Sequence, residues 1–353
     1  MVWLFWLIVT SGAVLAVIAG LHVLSWILYA PLAARILGEP PLLVPESGRP
    51  CWDGEEVCLK TPDGVRLVGT YLPARTARRQ GVVVFCHELY GDRWAVGTYL
   101  KGVRNRGFDV FTFDFRNHGE SDATPTYQPT PWVTESELTD LRTVLDYVCS
   151  RDDADPRGVA LMGVSRGGTA AFCVAADDPR VRAVVVDGLV PTERLQVYYA
   201  RRFLRVYTRS SWLYNLLPDM SFRPIGAIAR KTVQRKRGCR FVSVDQAARR
   251  LQRPVLFIHG RLDPFVPIAV AREVADLVPR QVRFWTVRGA KHNAAVKVQT
   301  RGYRRRLVRF LERHLGDARR VRQADQVGVA GAVVDAVPGA VDPWADGLPV
   351  MER

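Results

Sequence analysis

Eight short apolar runs alternate with helical patterns along most of the chain, and this alternation constrains the fold more than any other feature. The runs at 82–85 and 184–186 are continuously apolar, which is typical of parallel strands that helices cover on both faces. We therefore predict an α/β fold with an eight-stranded, mostly parallel, doubly wound sheet. The predicted strands are residues 57–60, 65–72, 82–86, 110–114, 159–163, 183–187, 255–259 and 282–287.

A long uncharged segment opens the chain. Residues 2–30 contain no charged side chain, and the first charge is Arg35. As a helix this segment would extend about 43 Å, more than the ~30 Å hydrocarbon core of a bilayer. A cleaved signal peptide is the alternative, but the run is too long for one and has no basic residues before it. We predict a single transmembrane anchor over residues 1–34.

The charges that follow the anchor bear on its orientation. Only the α-amino group precedes the apolar run, whereas Arg35, Arg49 and a basic body follow it. The positive-inside tendency then predicts that the body is cytoplasmic, although long translocated domains largely escape that rule.

The remaining chain divides by composition. Residues 35–50 are rich in Pro and Gly from Gly38 onward and are predicted to form a linker. Residues 51–316 carry the alternating pattern, which a long insertion at 191–253 interrupts. This insertion exceeds the usual loop length and is predicted to be a helical cap. Residues 317–353 have no sustained periodicity and are predicted to be a flexible tail.

The predicted cap is strongly basic. It holds 15 Lys or Arg and three acidic residues, and so carries most of the net charge of +15. Within it, aromatic and aliphatic residues interleave with Arg201, Arg202, Arg205 and Arg209, a combination that suits docking on an anionic lipid surface. No nucleic-acid-binding motif accompanies the charge, so no nucleic acid is expected as a partner. The sequence does not predict an oligomeric state.

The six cysteines show neither a disulfide framework nor the C-x-x-C spacing of a zinc or redox site. Most of the cysteines are expected to be buried thiols, and Cys51 and Cys58 could pair if the body were exported. No metal or organic cofactor is predicted.

A G-x-S-x-G sequence occupies residues 163–167, with Ser165 at its centre. It directly follows a predicted strand and opens the apolar helical pattern at 169–176. At such a turn, small flanking residues permit a sharp bend that exposes the serine hydroxyl. The helix N-terminus beneath the serine also favours developing negative charge. A serine that merely caps a helix in a glycine-rich turn is the simpler alternative.

With this motif in place, the chain resembles the α/β-hydrolase superfamily, in its serine-hydrolase branch, over about residues 57–315. Five sequences carry the resemblance in family order: His87-Glu88-Leu89-Tyr90-Gly91, Asp114-Phe115-Arg116-Asn117-His118-Gly119-Glu120-Ser121, the Ser165 motif, His259-Gly260-Arg261-Leu262-Asp263 and Gly289-Ala290-Lys291-His292. The family order of nucleophile, acid and histidine implies Ser165, Asp263 and His292. It also implies that the Asp114–Ser121 loop is a structural turn.

Elementary chemistry favours the same three residues. A serine hydroxyl needs a neutral imidazole to accept its proton, and the imidazole needs a carboxylate to fix its tautomer. Of the six histidines, only His292 occupies the loop after the last predicted strand. For the acid, Asp187 at the end of the sixth strand remains an alternative to Asp263.

The resemblance also implies an oxyanion hole made by the backbone N–H groups of Leu89 and Arg166, with Glu88 as the weaker candidate. Relatives usually have Gly where this chain has Glu88. Either Glu88 turns away from the hole, for instance towards an arginine, or the hole is impaired. The latter case would make the chain a catalytically inactive membrane interaction protein on a hydrolase fold, which is the alternative function.

Taken together, these features predict a membrane-anchored serine hydrolase that cleaves an ester, thioester or amide through an acyl-enzyme. The anchor and the apolar, cationic cap favour a small-molecule or lipid-like acyl substrate, and peptidases with similar motifs leave amide cleavage open.

Overall fold

The computed structural model describes residues 2–39, 44–45, 48–50, 53–125, 127–208 and 222–316, with only the backbone over 203–208. The predicted flexible tail at 317–353 lies outside these residues, as do positions 209–221 of the predicted cap and parts of the predicted linker. Cys58 is an exposed free thiol, and its possible partner Cys51 is outside the described residues.

One eight-stranded sheet forms the centre of the body, as predicted. Its strand order is β1-β2-β4-β3-β5-β6-β7-β8. Strand β2 pairs antiparallel with β1 and β4, and all other neighbours pair in parallel. Each strand begins and ends within two residues of its predicted bounds. The strands are β1 Glu55–Lys60, β2 Arg66–Leu72, β3 Gly81–Cys86, β4 Phe108–Phe113, β5 Val159–Val164, β6 Val181–Asp187, β7 Val255–Gly260 and β8 Val282–Val287.

Helices connect the strands and precede them. In chain order they are α1 Val2–Gly38, α2 Val96–Tyr99, α3 Glu135–Ser150, α4 Ser165–Asp177, α5 Thr192–Thr208, α6 Arg223–Arg237, α7 Val244–Arg250, α8 Ile268–Ala275, α9 Ala295–Val298 and α10 Thr300–His314. Short 3-10 turns lie at Arg93–Ala95 and Arg104–Arg106.

The inner strands are apolar on both sides because each side packs against helices. Val82 and Val84 of β3 share one apolar core with residues of α3, α4 and α7. The alternate residues Val83 and Phe85 belong to a second core with residues of α2 and α10. Successive side chains of a strand point to opposite faces, so the continuous run at 82–85 fills both cores.

The loop after β4 is held by buried ion pairs, in agreement with its expected structural role. The buried carboxylate of Asp114 accepts hydrogen bonds from the backbone N–H and the guanidinium of Arg93. The Arg116 guanidinium, also buried, bonds to Asp140 of α3 and to Asp63. Buried charges paired in this way fix the loop against the neighbouring elements.

Helices α5, α6 and α7 form the insertion between β6 and β7, as the predicted cap requires. Val190, Leu195 and Val233 belong to an apolar cluster of the cap that also includes Val266 and Val270 on the body side. The cap is therefore packed onto the carboxyl end of the sheet, where the loops after the strands lie.

Helix α1 extends further than predicted and corrects the boundary between anchor and linker. It continues through Pro31 to Gly38, so residues 35–38 of the predicted linker are helical. Ala34 and Leu37 are buried in the same cap cluster, which stabilises these added turns. At the C-terminus of α1, Trp132 Nε1 donates to the Leu37 carbonyl at 3.0 Å and Arg237 donates to that of Gly38. These donors satisfy carbonyls that have no partner within the helix.

The earlier part of α1 has a different surface. Its side chains from Val2 to Leu21 are largely exposed, and the helix is long and apolar enough to cross a membrane. Among the described residues, Trp26, Tyr29 and Ala30 join a small apolar cluster with Phe222 and Ile225 of the body.

Candidate active site

Ser165 lies at a sharp turn where β5 ends at Val164 and α4 begins. Its φ angle is +50°, a left-handed backbone conformation that costs a non-glycine residue on the order of 1–3 kcal/mol. Two glycines of the motif permit the turn. A Cβ atom on Gly163 would lie 2.4 Å from the carbonyl oxygen of Gly167, and one on Gly167 would lie 2.2 Å from that of His87. The motif therefore has glycine where backbones approach too closely for any side chain.

The structure brings the three residues predicted for the triad together. The Ser165 Oγ lies 2.9 Å from Nε2 of His292, in the loop after β8. The Nδ1 of the same ring lies 2.6 Å from Oδ2 of Asp263. Because an ionised carboxylate only accepts hydrogen bonds, Nδ1 carries the proton and Nε2 is free to accept the serine hydroxyl. This tautomer is the one that general-base catalysis by His292 needs.

Asp263 is held as an ionised acceptor. Its second oxygen, Oδ1, accepts hydrogen bonds from the backbone N–H groups of Phe265 and Val266, each at 2.9 Å. Burial alone would raise the pKa of Asp263, but the hydrogen bond from His292, the charge interactions with His292 and His259, and the Val266 amide outweigh it and lower the pKa below its usual range. The carboxylate is therefore charged and oriented before any substrate binds.

Asp187, the alternative acid, has a different environment. It is fully buried at the end of β6, and its Oδ2 accepts a hydrogen bond from the Tyr303 hydroxyl at 3.0 Å. Burial raises the pKa of Asp187 to about 7, although the tyrosine partly opposes the shift. The Nδ1 hydrogen bond of His292 goes to Asp263, so the geometry favours Asp263 as the orienting acid.

The residues predicted for the oxyanion hole share one cavity with the serine. Leu89 and Arg166 line a cavity that Ser165 and His292 also line. Arg166 is the second residue of α4, and the first amides of a helix have no acceptor within the helix. A backbone N–H at this position can stabilise a negatively charged oxygen on the serine's substrate.

His87 fixes the loop that carries Leu89. Its Nδ1 donates to the Glu88 carbonyl at 2.7 Å, and its Nε2 accepts from the Phe115 backbone N–H at 3.0 Å. Burial lowers the pKa of His87 to about 4, so the ring is neutral and can serve as donor and acceptor at once. His87 is thus a positioning residue for the loop.

Glu88 lines a different cavity from the serine. It is buried and lines a second cavity of about 210 Å³, together with Lys291, His292 and Asn293. Among the described residues, the Ser165 cavity is lined by Leu89 and not by Glu88. Of the two cases that the sequence left open, the geometry favours a glutamate that turns away from the oxyanion position.

A buried ion pair behind the site was missed by sequence reasoning. The Arg166 guanidinium donates to Glu137 and, at 2.7 Å, to the Tyr127 hydroxyl. Glu137 also accepts from the backbone N–H of Thr134 at 2.7 Å, in the capping box that starts α3. The spacing of Thr134 and Glu137 is a capping-box signature that could have identified this glutamate. Its pairing with Arg166 depends on how α3 packs beside α4.

The cavity above Ser165 has a volume of about 260 Å³ and is mostly apolar. Sequence reasoning also missed that α1 contributes to its wall. The lining residues are Ala33, Ile36, Leu37 and Glu39 from or just after α1, Leu89, Pro131, Trp132, Ser165, Arg166, Val190, Leu195, Gln196, Tyr199, Ala200, Gly226, Phe265, Val266 and His292. Gln196 is buried, its Oε1 accepts from Arg230, and its Nε2 has no partner within the described part of the chain. That amide could donate to an oxygen of a bound molecule.

Across the described ranges, no group of three or more His, Cys, Asp and Glu side chains is placed to hold a metal ion.

Comparisons with known proteins agree with this architecture. A family model for the alpha/beta hydrolase fold matches residues 81–239. Protein YfhR of Escherichia coli O157:H7 is 25% identical over 266 residues, which cover 74% of this chain and 81% of YfhR. The Pyrococcus furiosus esterase Pf2001 has a TM-score of 0.58 at 21% identity, covering 78% of this chain and 97% of that one. An Exiguobacterium antarcticum esterase has a TM-score of 0.52 at 15% identity, covering 73% and 100%. These likenesses confirm the predicted fold class.

The buried carboxyl of Asp187 makes stability depend on pH. In the folded protein it keeps its proton up to about pH 7, whereas in the unfolded chain it loses it near pH 4. Between these values the folded state binds the extra proton, so this group lowers stability as pH rises. Asparagine does not ionise, so we expect Asp187→Asn to remove this loss. The unfolding free energy of the variant minus that of the parent should rise by at most about 4 kcal/mol between pH 4 and pH 8.

Denaturant unfolding of the full chain at several pH values measures this difference. Asp177→Asn, which alters an exposed carboxylate paired with Arg250, is the matched control and should leave the pH profile unchanged. Parallel profiles for Asp187→Asn and the parent would show that Asp187 is ionised in the folded protein.

Proposed function

We propose that this chain, which belongs to the α/β-hydrolase superfamily, is a membrane-anchored serine hydrolase that cleaves an ester, or else a thioester or amide, through an acyl-enzyme. The observation that carries the proposal is the hydrogen-bonded row from Ser165 through His292 to Asp263, with the serine opening onto an apolar cavity. The fold and its esterase neighbours support a hydrolase.

The first half of the proposed reaction acylates the enzyme. Ser165 Oγ attacks the substrate carbonyl carbon while His292 Nε2 takes the hydroxyl proton, and Asp263 stabilises the imidazolium that forms. The carbonyl oxygen becomes an oxyanion, which the backbone N–H groups of Arg166 and Leu89 stabilise. As the tetrahedral intermediate collapses, His292 returns its proton to the departing alcohol, thiol or amine. The acyl group remains on Ser165.

The second half repeats these steps with water. His292 takes a proton from water, whose oxygen attacks the acyl carbon, and the collapse of the second intermediate returns the proton to Ser165 and releases the acid. Neither half needs a metal or an organic cofactor.

Helix α1 supports the membrane part of the proposal. Its exposed apolar side chains and its length suit a single span, with Trp26 and Tyr29 at the end that meets the body. The charges that begin at Arg35 favour a cytoplasmic body.

The cap is proposed to dock on anionic lipid. Helix α6 runs in the same direction as α1. Ile225, near the start of α6, clusters with Ala30 of α1, and Arg237, at the end of α6, bonds to Gly38 at the end of α1. The start of α6 is therefore level with the end of the apolar run. Arg223 at this start is exposed, as is Arg202 on α5 just beyond Ala200 of the same cluster, and this supports contact of both side chains with lipid headgroups.

The inactive alternative was motivated by Glu88. Among the described residues, Glu88 lines the neighbouring cavity and not that of Ser165, which supports an active enzyme.

Labelling by a fluorophosphonate probe tests the nucleophile without requiring the substrate. Ser165→Ala should abolish labelling of the full chain, and His292→Ala should reduce it nearly as much because the members of a triad act as a unit. Ser150→Ala, which removes an exposed serine at the end of α3, is the matched control and should label normally. Labelling that persists in Ser165→Ala would exclude this serine, and an unlabelled parent would favour the inactive alternative.

The choice between the two aspartates is tested by turnover of an ester that the parent cleaves. Asp263→Asn keeps the shape but favours the wrong imidazole tautomer, and should lower kcat by on the order of 10⁴. Asp187→Asn should cost far less, because Asp187 bonds to Tyr303 and not to His292. A folded Asp187→Asn enzyme with the larger loss would reverse the assignment.

Docking of the cap is measured by hydrogen exchange of α5 and α6 in the full chain, reconstituted in phosphatidylcholine vesicles with or without phosphatidylglycerol. The anionic lipid should protect the ends near Arg202 and Arg223, and salt should remove that protection, since each contact is worth about 1 kcal/mol. Changing both arginines to Gln should abolish the effect. Changing Arg235 and Lys236, about 18 Å further along α6 from Arg223, should not. Equal protection in neutral vesicles would contradict docking by charge.

A further inference from the structure

We infer that the last turns of α1 form a wall of the acyl-binding cavity, so that the membrane anchor itself selects a long acyl chain and receives it from the surrounding bilayer. This inference rests on the proposed hydrolase function and names the substrate class of the same site: esters whose acyl chain resides in the membrane.

The cavity joins the anchor to the candidate nucleophile. Ala33, Ile36 and Leu37 of α1 line the same space of about 260 Å³ as Ser165 and His292. Most of its other lining residues are apolar, including Val190, Leu195 and Phe265. A hydrocarbon chain esterified at the serine end would therefore lie against α1.

The wall that α1 provides is fixed in position. Leu37 is 6% exposed, and its carbonyl accepts a hydrogen bond from Trp132 Nε1 at 3.0 Å. The Gly38 carbonyl accepts from Arg237 of α6. Since these donors hold the helix end to the cap and the body, the side chains of α1 present a constant surface to an acyl chain.

The cavity begins close to the membrane end of α1. The uncharged part of α1 ends at Ala34, before Arg35, so Ala33 lies within it and Ile36 follows its end by about 3 Å along the helix. At this end the cavity is lined by small residues, Ala33, Ala200 and Gly226. Ala200 also belongs to the cluster that contains Ala30. On this inference, a chain in the bilayer would enter the cavity along this side of α1.

Chain-length preference tests the wall. The full chain in lipid nanodiscs would be assayed with para-nitrophenyl butyrate and para-nitrophenyl octanoate. The measured quantity is the ratio of kcat/KM for octanoate to kcat/KM for butyrate, because the partitioning of each ester into lipid is the same for every variant. Ile36→Trp fills the cavity and should lower the octanoate-to-butyrate ratio by about tenfold or more while butyrate is still cleaved. Ile36→Ala enlarges the cavity and should shift the preference to longer chains.

Arg35→Trp is the matched control, because it adds the same indole at the neighbouring position, which is exposed and does not line the cavity. It should leave the ratio unchanged. An unchanged ratio in Ile36→Trp, or an equal change in Arg35→Trp, would overturn the inference. If Ile36→Trp loses butyrate cleavage as well, Ile36→Ala decides, and the absence of any shift in that variant overturns it.

The source of the chain is tested with para-nitrophenyl palmitate placed either in the enzyme's own vesicles or in enzyme-free vesicles mixed with them. Cleavage at least tenfold faster in the enzyme's own vesicles supports supply from the bilayer, and equal rates refute it. In every arm Ser165→Ala should be inactive. Activity in that variant would refute the proposed function, whereas failure of only the chain-length or vesicle arms would refute this inference alone.

Discussion

The geometry of the candidate site depends on how closely the start of α4 approaches the end of β3. A Cβ atom on Gly167 would lie 2.2 Å from the His87 carbonyl oxygen and 2.4 Å from that of Cys86, so only glycine permits the contact. This approach brings the Arg166 amide beside the loop that carries Leu89. It also requires the turn in which Ser165 adopts its positive φ and presents its hydroxyl to His292. Backbone packing therefore sets the positions of nucleophile and oxyanion donors together.

Neighbouring strand ends hold two carboxylates in opposite electrostatic environments. Strands β6 and β7 are adjacent, and Asp187 ends the first whereas Asp263 follows the second. Asp263 accepts two backbone N–H bonds and one from His292, which together favour its charged form. Asp187 accepts from Tyr303 inside the core, where burial favours the protonated form. One position therefore suits stabilisation of an imidazolium, and the other suits a neutral hydrogen-bonded contact within the core.

Helix α1 has two parts with different surroundings. Its first part is exposed and apolar, whereas Ala34 and Leu37 are buried among cap residues. The cap thus has three neighbours: the sheet, the serine cavity and helix α1. This arrangement provides a physical reason for an insertion that is both basic and apolar, because one surface faces the proposed lipid headgroups while another encloses the cavity.

Local sequence patterns were enough to predict the eight strands, the serine turn and the chain order of the candidate residues. Those features depend on local patterns: runs that are apolar on both strand faces, and glycines at 163 and 167 where no side chain fits. The bonding of His292 to Asp263 was not determined in this way, because Asp187 also ends a strand and only the three-dimensional arrangement of the loops selects the partner. The direction of Glu88 and the pairing of Arg166 with Glu137 likewise needed the tertiary structure.

The helical turn at 35–38 was predicted as linker because Gly38 and the following prolines dominate the local pattern. Burial of Leu37 against the cap, a contact between residues far apart in the chain, made it helix instead.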